Sequence, residues 1–256
     1  MRSRVPAGAL LLVAIVMAGS PSIRDGRAAV LAQPTTRCAS CHYANLGTVP
    51  SPEYLADWHA SVHARAGVSC DRCHDGDPWT YEPVAAHRGV LSPANPASPV
   101  HPKNLVRTCS PCHQAITQAF GRSVHQTQVA AGERRAPTCV TCHGAMRARV
   151  LSPAALERQC AECHQPDSAL ADYPALMRAR LEELNIQRLR AANLADVIDG
   201  MPNDRRRLDL LVKLDAARTA LKLAIASAHG FEPLPLHDRV AAARQQLDAI
   251  HSALGR

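Results

Sequence analysis

Large aromatic side chains are scarce in this chain of 256 residues, which contains two Phe, two Trp and four Tyr. Such rings usually supply much of the buried apolar surface of a globular core. Hydrophobic residues still make up 46% of the sequence, and alanine supplies many of them. Some apolar group other than an aromatic side chain must therefore fill part of the interior.

Long apolar runs and alternating strand patterns are also missing. No stretch of about 18 or more apolar residues occurs, which excludes a transmembrane helix of ordinary length. The composition also excludes collagen-like, coiled-coil and fully disordered chains.

The first residues have the pattern of an export signal. Arg2 and Arg4 precede an unbroken small and apolar segment over residues 7–19. Such a pattern is typical of a secretory signal peptide, and an uncleaved membrane anchor is the alternative. We expect a signal peptide over residues 1–20, with an alternative cleavage site as late as residue 32, and a mature protein in the periplasm. In that oxidising compartment, ten cysteines would by default form disulfides.

The spacing of the cysteines points to a different chemistry. Every cysteine belongs to a Cys-x-x-Cys pair that is followed directly by histidine. The pairs are Cys38 and Cys41, Cys70 and Cys73, Cys109 and Cys112, Cys139 and Cys142, and Cys160 and Cys163, followed by His42, His74, His113, His143 and His164. Two thiols at this spacing reach the two vinyl groups of one porphyrin, and the histidine becomes the proximal iron ligand.

Zinc ribbons and thiol redox sites also use Cys-x-x-Cys, but they do not explain a histidine after all five pairs. An odd number of pairs cannot be shared out two per zinc ion. The sequence therefore predicts five covalently bound haems c, with their iron. Since residues 38–164 contain all five motifs, we expect the porphyrins themselves to form the core of this region.

An internal repeat organises the four later motifs. Ser61-Val62-His63 precedes the second motif, the segment 90–93 follows it, and the third motif closes the unit. Ser123-Val124-His125, the segment 150–153 and the fifth motif repeat this order around the fourth motif. The shared order predicts two dihaem units after one leading haem. We expect a short helix at each motif and loops in Pro-rich stretches such as 91–102.

Cysteine is absent after His164, and helical periodicity replaces the motifs. One predicted stripe runs from Leu208 to Ile225, begins at a cap formed by Pro202 and Asn203, and ends at Gly230. The predicted fold is mainly α with extensive loops. It has a haem-packed multihaem cytochrome c domain over residues 33–167 and a C-terminal α-helical hairpin or bundle over residues 168–256.

Eight histidines remain as possible second, distal iron ligands. His63 and His125 occupy the same place in the two repeats, His87 and His101 lie between the second and third motifs, and His229 ends a predicted helix. Met146 is a further candidate. No histidine lies between residue 153 and the fifth motif, so we expect that haem to take its ligand from His229 or Met146. His59 is expected to be a neighbour or propionate partner, and His237 and His251 to be surface residues.

The formal net charge of +7 belongs to the protein without haem. Two propionates on each of five haems add about ten negative charges, so the basic residues serve largely as counter-charges. This balance disfavours a nucleic-acid partner, and redox proteins are the expected partners.

The segment from Trp58 to His63, followed by 67–70 and then Gly76-Asp77-Pro78, resembles multihaem cytochromes c of respiratory and metal-reducing bacteria. Their pattern is Ser-x-His, a short gap, Cys-x-x-Cys-His and then Gly, and residues 123–144 repeat it. The resemblance covers residues 38–164 and implies close-stacked, mostly bis-histidine haems that conduct electrons in the periplasm. The larger superfamily includes pentahaem nitrite reductases and octahaem oxidoreductases. The former usually carry Lys in place of the motif histidine at the catalytic haem, whereas all five motifs here end in His.

Two classes of function follow from this resemblance. The first is an electron carrier of anaerobic respiration with saturated irons. The second is an oxidoreductase with one open iron that acts on a small nitrogen or sulfur oxyanion. The sequence favours the carrier, because no general acid or arginine-lined pocket can be assigned and no catalytic residue is predicted.

Overall fold

The structure, a computed structural model, describes residues 37–45 and 52–255. The predicted signal peptide lies outside the described residues. The described part of the chain consists of helices and loops and contains no β-strand, which confirms the mainly α prediction. None of its helices is both long and apolar enough to cross a membrane.

Short helices and turns make up the region that contains the Cys-x-x-Cys-His motifs. These helices are α1 (Arg37–Ala44), α2 (Pro52–His59), α3 (Val62–Arg65), α4 (Asp71–His74), α5 (Pro83–Ala86), α6 (Leu105–Gly121), α7 (Val124–Ala131), α8 (Cys139–His143) and α9 (Pro153–Ala161). A 3-10 helix over Pro102–Asn104 leads into α6. The segment 91–101 forms turns and bends, as its prolines predict.

The five motifs use their helices in three ways. The first and fourth lie within α1 and α8, and the second lies in α4 with Cys70 at its N-cap. The third is part of the longer α6, which contains Pro111 and is kinked at His113. The fifth crosses the end of α9, so that Cys160 is helical and His164 lies beyond the helix. The prediction of a short helix at each motif is therefore confirmed for the first, second and fourth motifs.

Two serines of the internal repeat begin equivalent helices. The Oγ atom of Ser61 accepts a hydrogen bond from the backbone N–H of Ala64 (3.1 Å) at the start of α3. Ser123 accepts one from the N–H of Gln126 (3.2 Å) at the start of α7. A serine at an N-cap satisfies an amide that would otherwise lack a partner. The repeated Ser-x-His therefore places its histidine at the second position of a helix in both units.

The later part of the repeat is less similar in structure than in sequence. Ser152 caps α9 and accepts a hydrogen bond from the N–H of Ala155 (3.2 Å). Ser92 accepts from the N–H of Ala94 (3.3 Å), but turns follow it instead of a helix. Prolines at 96 and 99 explain the difference, because proline in a helix interior removes a hydrogen bond and clashes with the preceding turn.

Three long helices follow the motifs and pack against one another, which confirms the predicted helical tail. They are α10 (Tyr173–Asp199), α11 (Arg205–His229) and α12 (Pro233–Leu254). Their shared core contains Met177, Leu184, Ile198, Leu210, Leu214, Leu221, Leu236, Val240, Leu247 and Ile250. Apolar side chains at intervals of three and four residues form these faces.

Two details of the predicted α11 are wrong. Leu208 is 55% exposed, whereas Leu210 is 2% exposed and starts the buried row. The helix is capped by Asp204, whose carboxylate accepts a hydrogen bond from the N–H of Arg207 (2.9 Å), and not by Pro202 and Asn203. The buried row then runs at spacings of four and three residues, which turns Leu208 to the opposite face. Gly230 does end the helix, as predicted.

The three long helices also contact the motif region. Helix α9 packs against α10, and α6 packs against α11. Arg178 of α10 forms an ion pair with Glu157 of α9, with 2.9 Å between nitrogen and oxygen. These contacts bring the end of α11 close to the motif histidines.

Candidate haem-binding site

Four of the five motif histidines face a second imidazole. The ring centroids are 5.8 Å apart for His42 and His87, 6.0 Å for His113 and His63, 6.2 Å for His164 and His125, and 6.1 Å for His143 and His229. A metal–nitrogen bond of about 2 Å, with about 1 Å more from nitrogen to ring centre on each side, predicts a separation of roughly 6 Å. The four pairs therefore fit an iron held between two imidazoles.

The two repeats pair their histidines by the same rule. His63 stands just before the second motif but faces His113 of the third. His125 stands just before the fourth motif but faces His164 of the fifth. In each unit, the histidine of Ser-x-His therefore crosses over the motif that follows it and reaches the next one.

Hydrogen bonds fix the tautomer of three imidazoles in these pairs. Nδ1 of His87 lies 2.7 Å from the carbonyl oxygen of Pro83. Nδ1 of His143 lies 2.7 Å from that of Arg149, and Nδ1 of His229 lies 2.8 Å from that of Ile225. Because a carbonyl only accepts, Nδ1 must carry the hydrogen, which leaves the lone pair of Nε2 free. This is the usual second contact of a metal-bound histidine.

Burial favours the neutral, metal-binding form of several of these imidazoles. Desolvation lowers the pKa of His42, His63, His125 and His229 below the ordinary value, and the facing imidazole lowers each further. A neutral imidazole coordinates a metal without first losing a proton.

In the structure, thiols of each motif lie near thiols of the next motif along the chain. Burial and the nearby thiol of Cys38, in the first motif, raise the pKa of Cys70 in the second motif to about 11. Burial and the nearby thiol of Cys142, in the fourth motif, raise the pKa of Cys160 in the fifth motif to about 11. Cys73 of the second motif lies near Cys112 of the third. All ten cysteines lie in the part of the chain that the structure describes, and none of them forms a disulfide there.

The third and fourth motifs meet through a direct contact between two sulfurs. A hydrogen bond from Cys109 lowers the pKa of Cys139 to about 7. With the neighbours described above, this contact completes a continuous row of thiol pairs from the first motif to the fifth.

The second motif lacks a facing imidazole. Every histidine of the chain lies within the described residues, and none of their rings faces His74 as in the four pairs. Nδ1 of His101, a candidate ligand, accepts the N–H of Lys103 (3.3 Å) and caps the 3-10 helix. Nδ1 of His101 is thus used as a hydrogen-bond acceptor, whereas Nδ1 of His87 and of His229 donates to a carbonyl.

The expected ligands of the fifth motif differ from the arrangement found. His229 lies against His143 of the fourth motif, and His125 faces His164. Met146 packs against Ala39, Trp58 and Ala64, in a small apolar cluster near the first motif. The end of α11 reaches the fourth motif because α11 packs along α6, and this long-range contact is not encoded in local spacing.

Two aromatic residues that the sequence did not single out lie beside the pair of His125 and His164. The ring of Phe231 meets that of His125 edge-on, with centroids 4.4 Å apart and planes at 86°. Tyr173 donates its hydroxyl hydrogen to the carbonyl of Phe231, and its ring lies 6.2 Å from that of His164. In the sequence, only the scarcity of aromatic residues could have drawn attention to them, because two of the few aromatic residues of the chain lie beside this pair.

The remaining histidines have other surroundings. His59 is exposed and lines a surface cavity with Trp58 and Tyr43. Nδ1 of His237 lies 2.9 Å from a guanidinium nitrogen of Arg180, and His251 is exposed on α12. No cluster of three or more His, Cys, Asp or Glu side chains suited to a metal ion occurs within residues 37–45 and 52–255.

Comparison with known proteins gives two matches to family models. The model for cytochrome c7 and related cytochrome c matches residues 95–165. The model for cytochrome c554 and c-prime matches residues 21–75. Together these two segments include all five motifs.

A curated relative gives a third, more distant similarity. The C-type polyheme cytochrome OmcC of Geobacter sulfurreducens is 24% identical over 151 residues, which are 55% of this chain and 19% of that protein. The chain therefore matches about a fifth of the length of this relative. No solved structure matches the chain significantly.

The donor set and the matches agree on one class of protein. Cysteine pairs followed by histidine bind haem covalently, and the facing imidazoles have the spacing that an iron requires. Members of the matched families bind haem c, transfer electrons and typically work outside the cytoplasm. Together, the sequence motifs, the paired imidazoles and the two family matches support a multihaem c-type cytochrome.

Proposed function

We propose that this protein carries electrons along a row of five covalently bound haems c in periplasmic respiration. The observation that carries the proposal is the set of four facing imidazole pairs, with centroids 5.8–6.2 Å apart. Two imidazoles saturate an iron and leave no position for a substrate, which suits electron transfer.

Each group of residues has a role in this proposal. The ten cysteines form thioethers to the haems, and His42, His74, His113, His143 and His164 are the proximal ligands. His87, His63, His229 and His125 are the distal ligands of the first, third, fourth and fifth haems, respectively. When bound, each haem supplies reversible one-electron chemistry. The protein holds the irons, sets their ligand field and excludes water.

The row of neighbouring thiols supports an order for the haems. Successive motifs lie side by side from the first to the fifth, so electrons enter at one end haem and leave at the other. The donor and acceptor are redox proteins that meet these two ends.

The proposed organisation has two parts. Residues 33–167 hold the haems, and residues 168–256 form the helical bundle, which contributes His229 as a ligand. Removal of residues 1–20, or of a segment ending as late as residue 32, accompanies export to the periplasm. A relation to the pentahaem nitrite reductases and octahaem oxidoreductases is part of the same proposal.

The count of haems is the first test. The full chain is expressed with a cytochrome c maturation system, and intact mass and haem absorbance after denaturation in pyridine give the haems per chain. We expect five, and four for a variant in which both Cys70 and Cys73 are replaced by Ala. A wild-type count below five contradicts the proposal.

The state of the irons is the second test. We expect low-spin spectra for the four haems with paired imidazoles, unchanged by added nitrite, cyanide or carbon monoxide. If any of these four binds an added ligand, its proposed ligation is wrong.

One observation favours a second candidate function. His74 has no facing imidazole, and His101 uses Nδ1 to cap a helix. An open iron at the second motif would suit an oxidoreductase acting on a small nitrogen or sulfur oxyanion. A high-spin haem that binds cyanide, and that is unchanged by His101→Ala, supports this candidate. If His101→Ala instead converts a low-spin haem to high spin, His101 is a ligand and the carrier function stands.

A further inference from the structure

We propose that the fourth haem has a lower reduction potential than the fifth, so that electrons pass from the fourth to the fifth and rest there. This inference builds on the ligand pairs proposed above. It rests on a difference in hydrogen bonding between the two pairs, His143 with His229 and His125 with His164.

Both imidazoles of the fourth pair donate to backbone carbonyls. His143 donates through Nδ1 to Arg149 (2.7 Å), and His229 donates to Ile225 (2.8 Å), one turn earlier in α11. Among the paired histidines, only His87 of the first pair makes a further contact of this kind. Of the four pairs, the fourth is therefore the one in which both imidazoles donate Nδ1–H to a carbonyl.

The contact of His143 is built by a specific turn. The N–H of Arg149 donates to the carbonyl of His143 (2.8 Å), so the two residues are joined twice. The chain turns back through positive φ values at Gly144 (76°) and Ala148 (44°). A positive φ is unusual for alanine and costs conformational energy. The strained residue directly precedes the carbonyl that His143 uses.

The fifth pair has the opposite environment. Nδ1 of His125 is buried and has no hydrogen-bond partner. The ring of Phe231 meets the ring of His125 edge-on, and the carbonyl oxygen of Phe231 already accepts a hydrogen bond from the hydroxyl of Tyr173. Phe231 has a φ of 56°, so its backbone also adopts the left-handed conformation. His125 thus packs against an apolar ring and its Nδ1 meets no carbonyl, whereas Nδ1 of His87 and of His229 donates to one.

The direction of the difference follows from ligand basicity. An imidazole that donates Nδ1–H to a carbonyl is a more basic ligand and stabilises ferric over ferrous iron. Hydrogen bonding around the ligands is one of the means by which a protein sets the potential of a haem. In the transfer, the ferrous fourth iron is oxidised and the ferric fifth iron is reduced. No bond forms or breaks, and no proton moves.

Two substitutions, each with a matched control, test this proposal on the holoprotein. Phe231→Asn places an amide oxygen beside His125, and asparagine tolerates a positive φ. Phe231→Leu keeps the site apolar. Ala148→Val introduces a β-branched residue at a positive φ and disturbs the turn that presents the carbonyl of Arg149, whereas Ala148→Gly relieves the strain and keeps the turn.

The readout is a redox titration followed by visible and electron paramagnetic resonance spectra. We expect Phe231→Asn to shift one component of the wild-type titration to lower potential and Ala148→Val to shift a different component to higher potential. The component that Ala148→Val shifts is assigned to the fourth haem, and the one that Phe231→Asn shifts to the fifth. In the wild type, the first of these must have the lower reduction potential. The two control variants should leave the titration unchanged.

Three results would overturn the inference. They are the reverse order of potentials in the wild type, a shift of the same component by both variants, and no shift by either variant. If a variant does not accumulate as holoprotein, exchange NMR on the wild type gives the order of oxidation directly. The fifth haem is then recognised by its proximity to Phe231. Low-spin haems with the wrong order refute only this inference, whereas loss of low-spin ligation in the wild type refutes the proposed ligand pairs.

Discussion

His229, the last residue of α11, lies nearly parallel to His143 of the fourth motif, with ring planes at 13° and centroids 6.1 Å apart. The contact joins the helical bundle to the motif region at the position of a proposed iron ligand. The bundle is therefore part of the candidate site, and removing this imidazole should be visible in the spectrum of one haem.

We expect His229→Ala to convert one low-spin haem to high spin, because the fourth iron loses its distal ligand. Electron paramagnetic resonance and visible spectra of the oxidised holoprotein measure the change. His251→Ala, on an exposed face of α12, is the control and should leave all spectra unchanged. An unchanged spectrum for His229→Ala would show that His229 is not a ligand.

Met146→Ala should leave every haem in its wild-type spin state, because Met146 packs against Trp58 and Ala64. Loss of this partly buried side chain should lower the free energy of unfolding by about 1–2 kcal/mol, less than for a fully buried methionine. Chemical denaturation of the holoprotein measures the loss, with the exposed Val150 replaced by Ala as control. A change in the ligand-sensitive spectrum on Met146→Ala would restore the methionine as a ligand candidate.

Ser61→Ala should lower the free energy of unfolding by about 1 kcal/mol, because the N–H of Ala64 loses its cap. Ser92→Ala is the matched control from the part of the chain where no helix follows the serine, and it should cost less. Both values come from denaturation of the holoprotein. Equal losses for the two variants would mean that capping of α3 does not stabilise the fold.

Without haem, we expect residues 38–164 to remain unfolded while the bundle keeps its helices. Few buried apolar residues lie in the motif region, whereas α10, α11 and α12 share an extensive apolar core. Without porphyrins, burial in residues 38–164 cannot offset the chain entropy.

Expression without a cytochrome c maturation system, followed by limited proteolysis and mass spectrometry, tests this prediction. The surviving fragment should begin near residue 168. A protease-resistant fragment that spans residues 38–164 would contradict it.

Local features of this protein were predictable and long-range pairings were not. The five Cys-x-x-Cys-His motifs, such as the one at Cys160, Cys163 and His164, predict covalent haem, and the periodicity of leucines predicts long helices in the tail. The facing partner of each motif histidine depends on tertiary contacts. The sequence predicts His229 or Met146 as the ligand of the fifth motif because no nearer histidine is available, yet His125 crosses the fourth motif and faces His164.

Backbone conformation accounts for other differences. The repeated segment 90–93 and 150–153 predicts equivalent structures, but the prolines that follow Ser92 allow only turns. Hydrogen-bond acceptors such as the carbonyl of Arg149 are present at every residue, so only the fold determines which of them meets an imidazole. The residue types alone therefore do not predict the proposed difference in reduction potential.

The position of His229 also bears on how the protein matures. If the chain crosses the membrane N-terminus first, the fourth motif reaches the haem-attachment machinery well before α11 does. The fourth haem would be linked to its cysteines while its sixth ligand is still missing, and only the docking of the finished bundle would complete it. On the proposed ligation, a chain truncated before α11 would therefore carry a fourth haem without its distal ligand.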